Sequence, residues 1–224
     1  MGDAQGVRDR SHYPPIVGTR NRHDSVRRVL DVAVALTMLT LGSPVLLVVA
    51  VVVRVRLGRP VLFRQERLGL GGRPFRLVKF RTMRHPVPGR EGPEFDAERL
   101  TAVGRFLRST SLDELPEMVN LLRGDLTLVG PRPLPTAYWT RYRGAEYERF
   151  EVKPGITGLA QVSGRNALGW DERLALDVEY VRTRSLLGDL RILWRTVLVV
   201  LRRDGIDQTG GVTMHALPAD RPHV

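Results

Sequence analysis

Hydrophobic and polar positions divide this chain into stretches of distinct rhythm. Val29 to Val53 is an apolar run of 25 residues, broken in rhythm only by Asp31 and by Ser43-Pro44. Pro60 to Met83 changes to a period of two, with Phe75, Leu77, Lys79 and Arg81 on one face, and Gly69, Gly71 and Gly72 between its halves predict a β-hairpin. Leu115, Met118, Val119 and Leu122 recur at i, i+3, i+4 and i+7, the spacing of one helix face, which Gly124 terminates. An apolar strand-like run, Leu126 to Val129, follows. Trp170 to Thr183 reads as a helix. Leu186, Leu190, Leu193, Val197 and Leu201 then form an apolar stripe, with Leu187, Trp194 and Leu198 beside it and Asp189, Arg191, Arg195, Arg202 and Arg203 off it. That last helix suits either a lipid–water interface or a core, and a core is the simpler expectation.

As one straight helix the long apolar run would reach about 37 Å, enough to cross a bilayer. Two features argue against a simple span. Arg27 and Arg28 precede it and Arg54, Arg56 and Arg59 follow, so neither end is marked as the translocated one. Ser43-Pro44 also sits near its middle, where proline removes an N–H and clashes with the preceding turn. A helix broken at Ser43-Pro44 that re-enters the same leaflet satisfies both. A proline-kinked span is the competing reading, and a buried soluble helix fits less well. Asp31 lies near enough to one end to sit at the interface.

The remaining stretches are irregular. Residues 1–25 are polar and rich in Arg, Gly and Pro, unlike a signal peptide, because the apolar run starts too late and runs too long. His85 to Glu98 is an acidic Pro/Gly-rich loop. Tyr138, Trp139, Arg141, Tyr142, Arg143, Tyr147, Arg149 and Phe150 interleave rings with cations, which suits base stacking or a membrane headgroup zone, the latter preferred beside an apolar anchor. Lys153 to Asn166 is glycine-rich, either a linking loop or a place where backbone approaches a ligand.

The 224 residues carry a net charge of +11, nearly all of the excess from arginine. That balance implies an anionic partner: phosphorylated substrates, an anionic membrane surface or nucleic acid. A 25-residue apolar run makes nucleic acid the poorest fit. There is no cysteine, so disulfides and thiolate metal sites are excluded. No Walker A loop, GxSxG elbow or HExxH helix is present.

Candidate chemistry concentrates between Ser109 and Pro133. Asp113 and Glu114 are adjacent carboxylates at a helix start, where Asp113 is a good N-cap and Pro116 falls in the first turn. Capping and dipole complementation would account for such a pair by themselves. Arg108 upstream and Arg132 in the stiff Gly130-Pro131-Arg132-Pro133 segment point instead to a divalent metal and a phosphate. Lys79 and Arg81 share a strand face and suit the same anion, or form a solvated basic edge. Arg165, in the glycine-rich stretch, is a further candidate for a phosphate or nucleotide contact, unless that stretch only links its neighbours.

Taken jointly, Ser43-Pro44, PVLFRQERLG (60–69), KFRTM (79–83), GRFLRSTSLDELPEMVNLLRGDLTLVGPRP (104–133) and KPGITGLAQVSGRN (153–166) resemble the bacterial sugar transferases, the monotopic polyprenyl-phosphate phosphoglycosyl transferases. The resemblance covers about residues 25–205 and implies the small form of that family. It implies an α+β, mainly helical, membrane-associated monotopic domain with a broken re-entrant helix and a small β-hairpin. The organisation expected is a mobile segment 1–25, a re-entrant hairpin 26–57, a cytosolic catalytic domain 58–205 and a tail 206–224. The implied reaction moves a sugar 1-phosphate from a UDP-sugar to a polyprenyl phosphate such as undecaprenyl phosphate. UMP is released, and the product is the first membrane intermediate of a glycan or exopolysaccharide pathway. By resemblance Asp113 is the nucleophile of a covalent phosphosugar intermediate, Glu114 with Asp113 holds Mg2+, and Arg108, Arg132, Lys79, Arg81 and Arg165 bind phosphates. The implied place is the cytoplasmic face of the cell membrane, among its lipids and without nucleic acid.

Overall fold

The computed structural model describes residues 18, 21–90, 92–164, 168–202 and 216–220. The apolar run forms two helices, α1 (Asp24–Leu41) and α2 (Ser43–Arg56), with Gly42 between them and Pro44 in the first turn of α2. The pair bends by 64°, and no single helix among the described residues is long and apolar enough to cross a membrane. Proline is tolerated at that position because the first N–H groups of a helix have no intrahelical acceptor.

One stripe of α1 is buried: Arg27, Asp31 and Ala35, each four residues from the next. Polar groups hold that stripe in place. Arg27 Nε donates to Asp189 Oδ2 at 2.7 Å, and Arg28 donates to the carbonyls of Leu121 and Leu122, both at 2.7 Å. Asp31 Oδ1 accepts from Thr127 Oγ1 at 3.1 Å and from the Leu128 amide at 2.9 Å. Asp31 is therefore folded onto the body of the protein, where two donors compensate its burial, rather than left at an interface. On α2, Val49 and Val53 pack with Phe80 and Leu107. The opposite faces are bare, and Leu41 at the bend is 79% exposed.

Strands β1 (Leu62–Leu68) and β2 (Pro74–Phe80) form the expected antiparallel hairpin, with Leu62 opposite Phe80 and Leu68 opposite Pro74. Two short helices follow, α3 (Asp96–Arg99) and α4 (Ala102–Ser109), the second capped by the Thr101 hydroxyl, which accepts from the Gly104 amide. A 3-10 turn, Leu112–Glu117, leads into α5 (Met118–Arg123), which ends at Gly124 with φ 87°. Leu77, Met118, Leu121, Leu126 and Ala35 make one core cluster joining the hairpin, α5 and α1. Helix and hairpin are pinned at its edge by Asn120, whose side chain bonds the Val78 amide and the Arg76 carbonyl.

Strand β3 (Thr127–Val129) pairs in parallel with β4 (Gly155–Thr157). Here the glycines of the 153–166 stretch find their use. A Cβ on Gly155 would lie 2.1 Å from the Gly130 amide, and one on Gly158 would lie 2.2 Å from the Gly130 carbonyl. Their close approach is to the chain's own backbone. Helices α6 (Leu159–Ser163), α7 (Trp170–Thr183) and α8 (Leu186–Arg202) complete the described fold, which is mainly helical with two small sheets, an α+β arrangement.

Two further expectations are corrected. Trp139, Tyr142, Tyr147 and Phe150 are not surface rings; they pack with Leu68, Leu174 and Leu217 as an aromatic core, with Trp139 and Tyr147 edge-to-face at 5.3 Å. Burying several rings in 3-10 turns outweighs any interfacial role for them. The last helix also turns the other way. Asp189 and Ile192 face inward, while Leu187, Leu190, Trp194 and Val197 are exposed, Trp194 by 64%. Asp189 sets that rotation, because it must meet both Arg27 and the Tyr180 hydroxyl in the interior.

Candidate active site

The 3-10 turn carrying Asp113 and Glu114 follows a strained joint. Ser111, with φ 56° and ψ 16°, is the only non-glycine residue at positive φ among the described residues. Such a conformation costs on the order of 1–3 kcal/mol and persists where its surroundings enforce it. It swings the chain from the end of α4 so that Asp113 faces inward, 8% exposed.

Asp113 does not cap a helix. A capping side chain accepts from the second or third helical amide, and three residues after Asp113 stands Pro116, which has no N–H. Helix α5 begins only at Met118. Apart from its own backbone amide, no described group hydrogen-bonds the Asp113 carboxylate, although Lys79 and Arg108 lie within its electrostatic reach.

Glu114 is the reverse case. Its Oε1 lies 2.6 Å from Lys79 Nζ and 3.5 Å from Arg132 Nη2. Lys79 also lies 2.9 Å from Glu117 Oε1. In a 3-10 turn residues three apart eclipse, so Glu114 and Glu117 stack on one side and share the ammonium. Glu117 was not singled out from the sequence; its three-residue spacing from Glu114 is the signal that points to it.

Charge follows this geometry. Burial raises the Asp113 carboxyl to about 6, and repulsion from Glu114 adds to it. Burial would also raise Glu114, but Lys79 and Arg132 outweigh it and hold that group at about 2. Burial and Glu114 push Glu117 up to about 7. At neutral pH one carboxylate is clamped and charged, and its neighbour is charged but unclamped.

Arg132 stands on a rigidly held segment. The carbonyl of Val129 accepts from the Tyr180 hydroxyl at 2.9 Å and that of Pro131 from the Gly155 amide at 2.9 Å. The carbonyl of Arg132 accepts from Arg149 Nη2 at 2.7 Å, that of Pro133 from Arg67 Nη1 at 3.3 Å and that of Leu134 from the Leu68 amide at 3.0 Å. The Arg132 side chain projects from this frame and remains 48% exposed. Arg108, whose Nε donates to Thr82 Oγ1 at 3.1 Å, is within electrostatic reach of Asp113 and Glu114.

The structure thus gathers Asp113, Glu114, Lys79, Arg108 and Arg132. It places Arg81 elsewhere. Arg81 Nη2 donates to the Leu57 carbonyl at 2.5 Å and Nη1 meets His85, so this guanidinium serves the end of α2. The reason is that β2 ends at Phe80, and alternation no longer holds Arg81 to the face of Lys79. Arg165 lies outside the described residues. Ser43 and Pro44 sit at the bend between α1 and α2, and the Ser43 hydroxyl donates to the Thr40 carbonyl at 2.7 Å.

Among the described residues no group of three or more His, Asp or Glu side chains is arranged to hold a metal ion. Mg2+ asks for less, since one or two carboxylates with phosphate oxygens suffice. Asp113 and Glu114 supply hard oxygen donors, and the repulsion that raises Asp113 is what a cation between them would relieve. The donor set fits Mg2+ brought with a phosphate, and does not make a protein-only cage.

The profile described as bacterial sugar transferase matches residues 22–203. The chain is 47% identical to an uncharacterized sugar transferase, EpsL, of Bacillus subtilis, over 84% of this chain and 93% of that one. It is 44% identical to a UDP-glucose:undecaprenyl-phosphate glucose-1-phosphate transferase of Caulobacter vibrioides, covering 81% and 72%. It is 39% identical to the undecaprenyl-phosphate galactose phosphotransferase of Salmonella typhimurium, over 80% of this chain and 41% of the longer relative.

Proposed function

The chain belongs to the bacterial sugar transferase family, and from that footing we propose that it transfers a sugar 1-phosphate from a UDP-sugar to a polyprenyl phosphate, undecaprenyl phosphate by analogy with its relatives. The observation that carries the chemistry is the contrast between two adjacent acids: Glu114 held by Lys79 and Arg132, Asp113 buried beside it with no hydrogen-bonding neighbour.

In this reading a carboxylate oxygen of Asp113 attacks the β-phosphorus of the donor. A new P–O bond forms, the bond from that phosphorus to the bridging oxygen breaks, and UMP leaves with the electron pair. An oxygen of the polyprenyl phosphate then attacks the same phosphorus. The acyl phosphate bond breaks, Asp113 is regenerated and a polyprenyl diphosphate sugar departs. Neither step takes a net proton from the protein. An anion attacking a diphosphate is repelled unless its oxygens are neutralised, and Arg108, Arg132 and Lys79 supply that charge. Asp113 and Glu114 would hold Mg2+, which when bound adds charge neutralisation at the diphosphate.

The lipid substrate calls for a place at the membrane, and the bent pair α1–α2 supports one. Its polar stripe faces the protein, whereas Val29, Leu36, Leu41, Leu47 and Val48 are exposed. The pair enters and leaves one leaflet with its bend at Gly42-Ser43-Pro44, at the cytoplasmic face where the soluble donor is available. The exposed row Leu187, Leu190, Trp194 and Val197, beside exposed Arg191 and Arg195, lies against the headgroups. The reaction is then the first membrane step of a glycan pathway.

The test is UMP release across a panel of UDP-sugars with undecaprenyl phosphate, with and without Mg2+, joined to a search for a bound adduct after exposure to labelled donor alone. Release from at least one donor and a trapped adduct are expected. Turnover with no adduct at any quench time would remove the two-step scheme, and no release from any donor would remove the transferase reading.

A further inference from the structure

Arg67 is a half-buried cation, with its Nε fully buried, that the scheme above leaves idle. It lies on β1 opposite Phe75, in a register that sets Phe63 opposite Lys79 and Gln65 opposite Leu77. Directly paired residues share a sheet face, so Phe63, Gln65 and Arg67 project on the side that carries Lys79. Arg67 Nη2 donates to Gln65 Oε1 at 2.5 Å, Nη1 reaches the Pro133 carbonyl at 3.3 Å, and Nε is buried with no hydrogen-bond partner. Among the described residues no carboxylate lies within ion-pair distance of it. Burial first, and then the Arg132 guanidinium, push it down to about 10, against weaker opposing influences from Tyr138, Glu117 and Tyr142. It is still a cation at neutral pH.

A charge with one donor unmade, no paired acid and a second cation beside it is costly to keep inside a protein. Hydrogen bonds to Gln65 and to a carbonyl do not neutralise it. An anion that reaches Arg132 would relieve both guanidiniums together. We propose that Arg67 is a further phosphate-binding residue, which with Arg132 holds an oxygen of a substrate phosphate. This rests on the transferase reading. The phosphate has two possible sources of the same chemistry, the nucleotide diphosphate and the polyprenyl phosphate.

The experiment compares Arg67→Gln, Arg67→Lys and an exposed control on the same strand, Arg64→Gln, in the full chain. KM is measured for the UDP-sugar and for undecaprenyl phosphate separately, and binding of uridine diphosphate and of undecaprenyl phosphate is measured on the resting protein by calorimetry. A charge-assisted hydrogen bond is worth about 1.5–3 kcal/mol, so Arg67→Gln should raise one of the two KM values about tenfold or more and weaken the matching ligand to the same extent. Arg67→Lys should recover part of the loss, and Arg64→Gln should behave as wild type. The substrate whose KM moves identifies the phosphate. Both KM values within about twofold of wild type, or a fall in kcat and thermal midpoint with unchanged binding, overturns the proposal and leaves Arg67 as a brace for Pro133. The calorimetric arm needs no turnover. A wild-type protein that binds uridine diphosphate yet releases no UMP sinks the transferase reading while Arg67 remains under test, and one that binds neither ligand sinks both.

Discussion

The guanidinium of Arg149, 2% exposed, donates a 2.7 Å hydrogen bond to the main-chain carbonyl of Arg132. The same group pairs with Asp177 at 2.9 Å and reaches the Tyr142 hydroxyl at 3.1 Å. An arginine in the aromatic core thus fixes the backbone from which a pocket arginine projects. Arg149→Met leaves Asp177 buried without its cation and should lower stability by about 3–5 kcal/mol. Arg149→Lys keeps the charge but lacks the fork that serves three partners at once. It should retain the fold and raise donor KM severalfold with a smaller change in kcat. Equal losses in kcat and KM, tracking the thermal midpoint, would show that Arg149 supports the core alone.

Asp113→Asn should abolish turnover and adduct formation while making the protein more stable. The carboxyl ionises at 3.8 in a free chain and at about 6 when folded. Between those values folding takes up a proton, so stability falls as pH rises through the window and the full penalty is present above it. About two pKa units correspond to roughly 3 kcal/mol, an order-of-magnitude figure for this coupled site. At pH 7.5 the variant should therefore melt higher than wild type, and near pH 4 the difference should vanish. Residual activity near the wild-type level would remove Asp113 as nucleophile, and a lower melting point at pH 7.5 would remove the charge argument.

Adduct formation by the wild type should depend on the same ionisation. Single-turnover rates with labelled donor should fall about tenfold per pH unit below about 6 and level off above it. A rate flat from pH 5 to 8 would mean that the attacking group is not the one raised by its burial.

Glu114→Gln removes the negative charge that Lys79 and Arg132 share. The expected result is a loss of turnover of about 100-fold or more and a higher Mg2+ concentration for the half-maximal rate. An unchanged Mg2+ dependence would take Glu114 out of the metal's surroundings.

Cysteine-free wild type makes the path of α1–α2 directly measurable. Arg22 and Arg56 are exposed at either end of the pair, whereas Arg27 is buried against Asp189 and unsuitable. Single cysteines at positions 22 and 56 should react with an impermeant reagent from the same side of the membrane. Reaction from opposite sides would mean a bent span.

What the sequence made readable was local. Period two, the glycines at 69–72 and the stop at Gly124 are decided by neighbouring residues; the hairpin lies where those patterns put it and the helix ends where they end it, although it begins only at Met118, after a 3-10 turn. The neighbourhood of Asp113 was readable too, since arginines close in sequence converge. Long-range pairs were not. Nothing near Asp31 announces Thr127, and nothing near Asp189 announces Arg27, yet these contacts fix how α1 and α8 rotate. The rings at 139–150 were misread for the same cause: an aromatic-arginine mixture looks alike in a core and at a headgroup until Asp177 is seen to neutralise Arg149.

The fastening of α1 has a practical meaning. Arg28 closes the end of α5, Asp31 holds the strand that leads to Arg132, and Ala35 lies in the cluster under the hairpin. Trimming away the first 41 residues to obtain a more tractable enzyme would take out a wall of the building rather than its mooring rope. Any search for a detergent-free form should keep Asp24–Ala35 and alter only the outward faces near the bend.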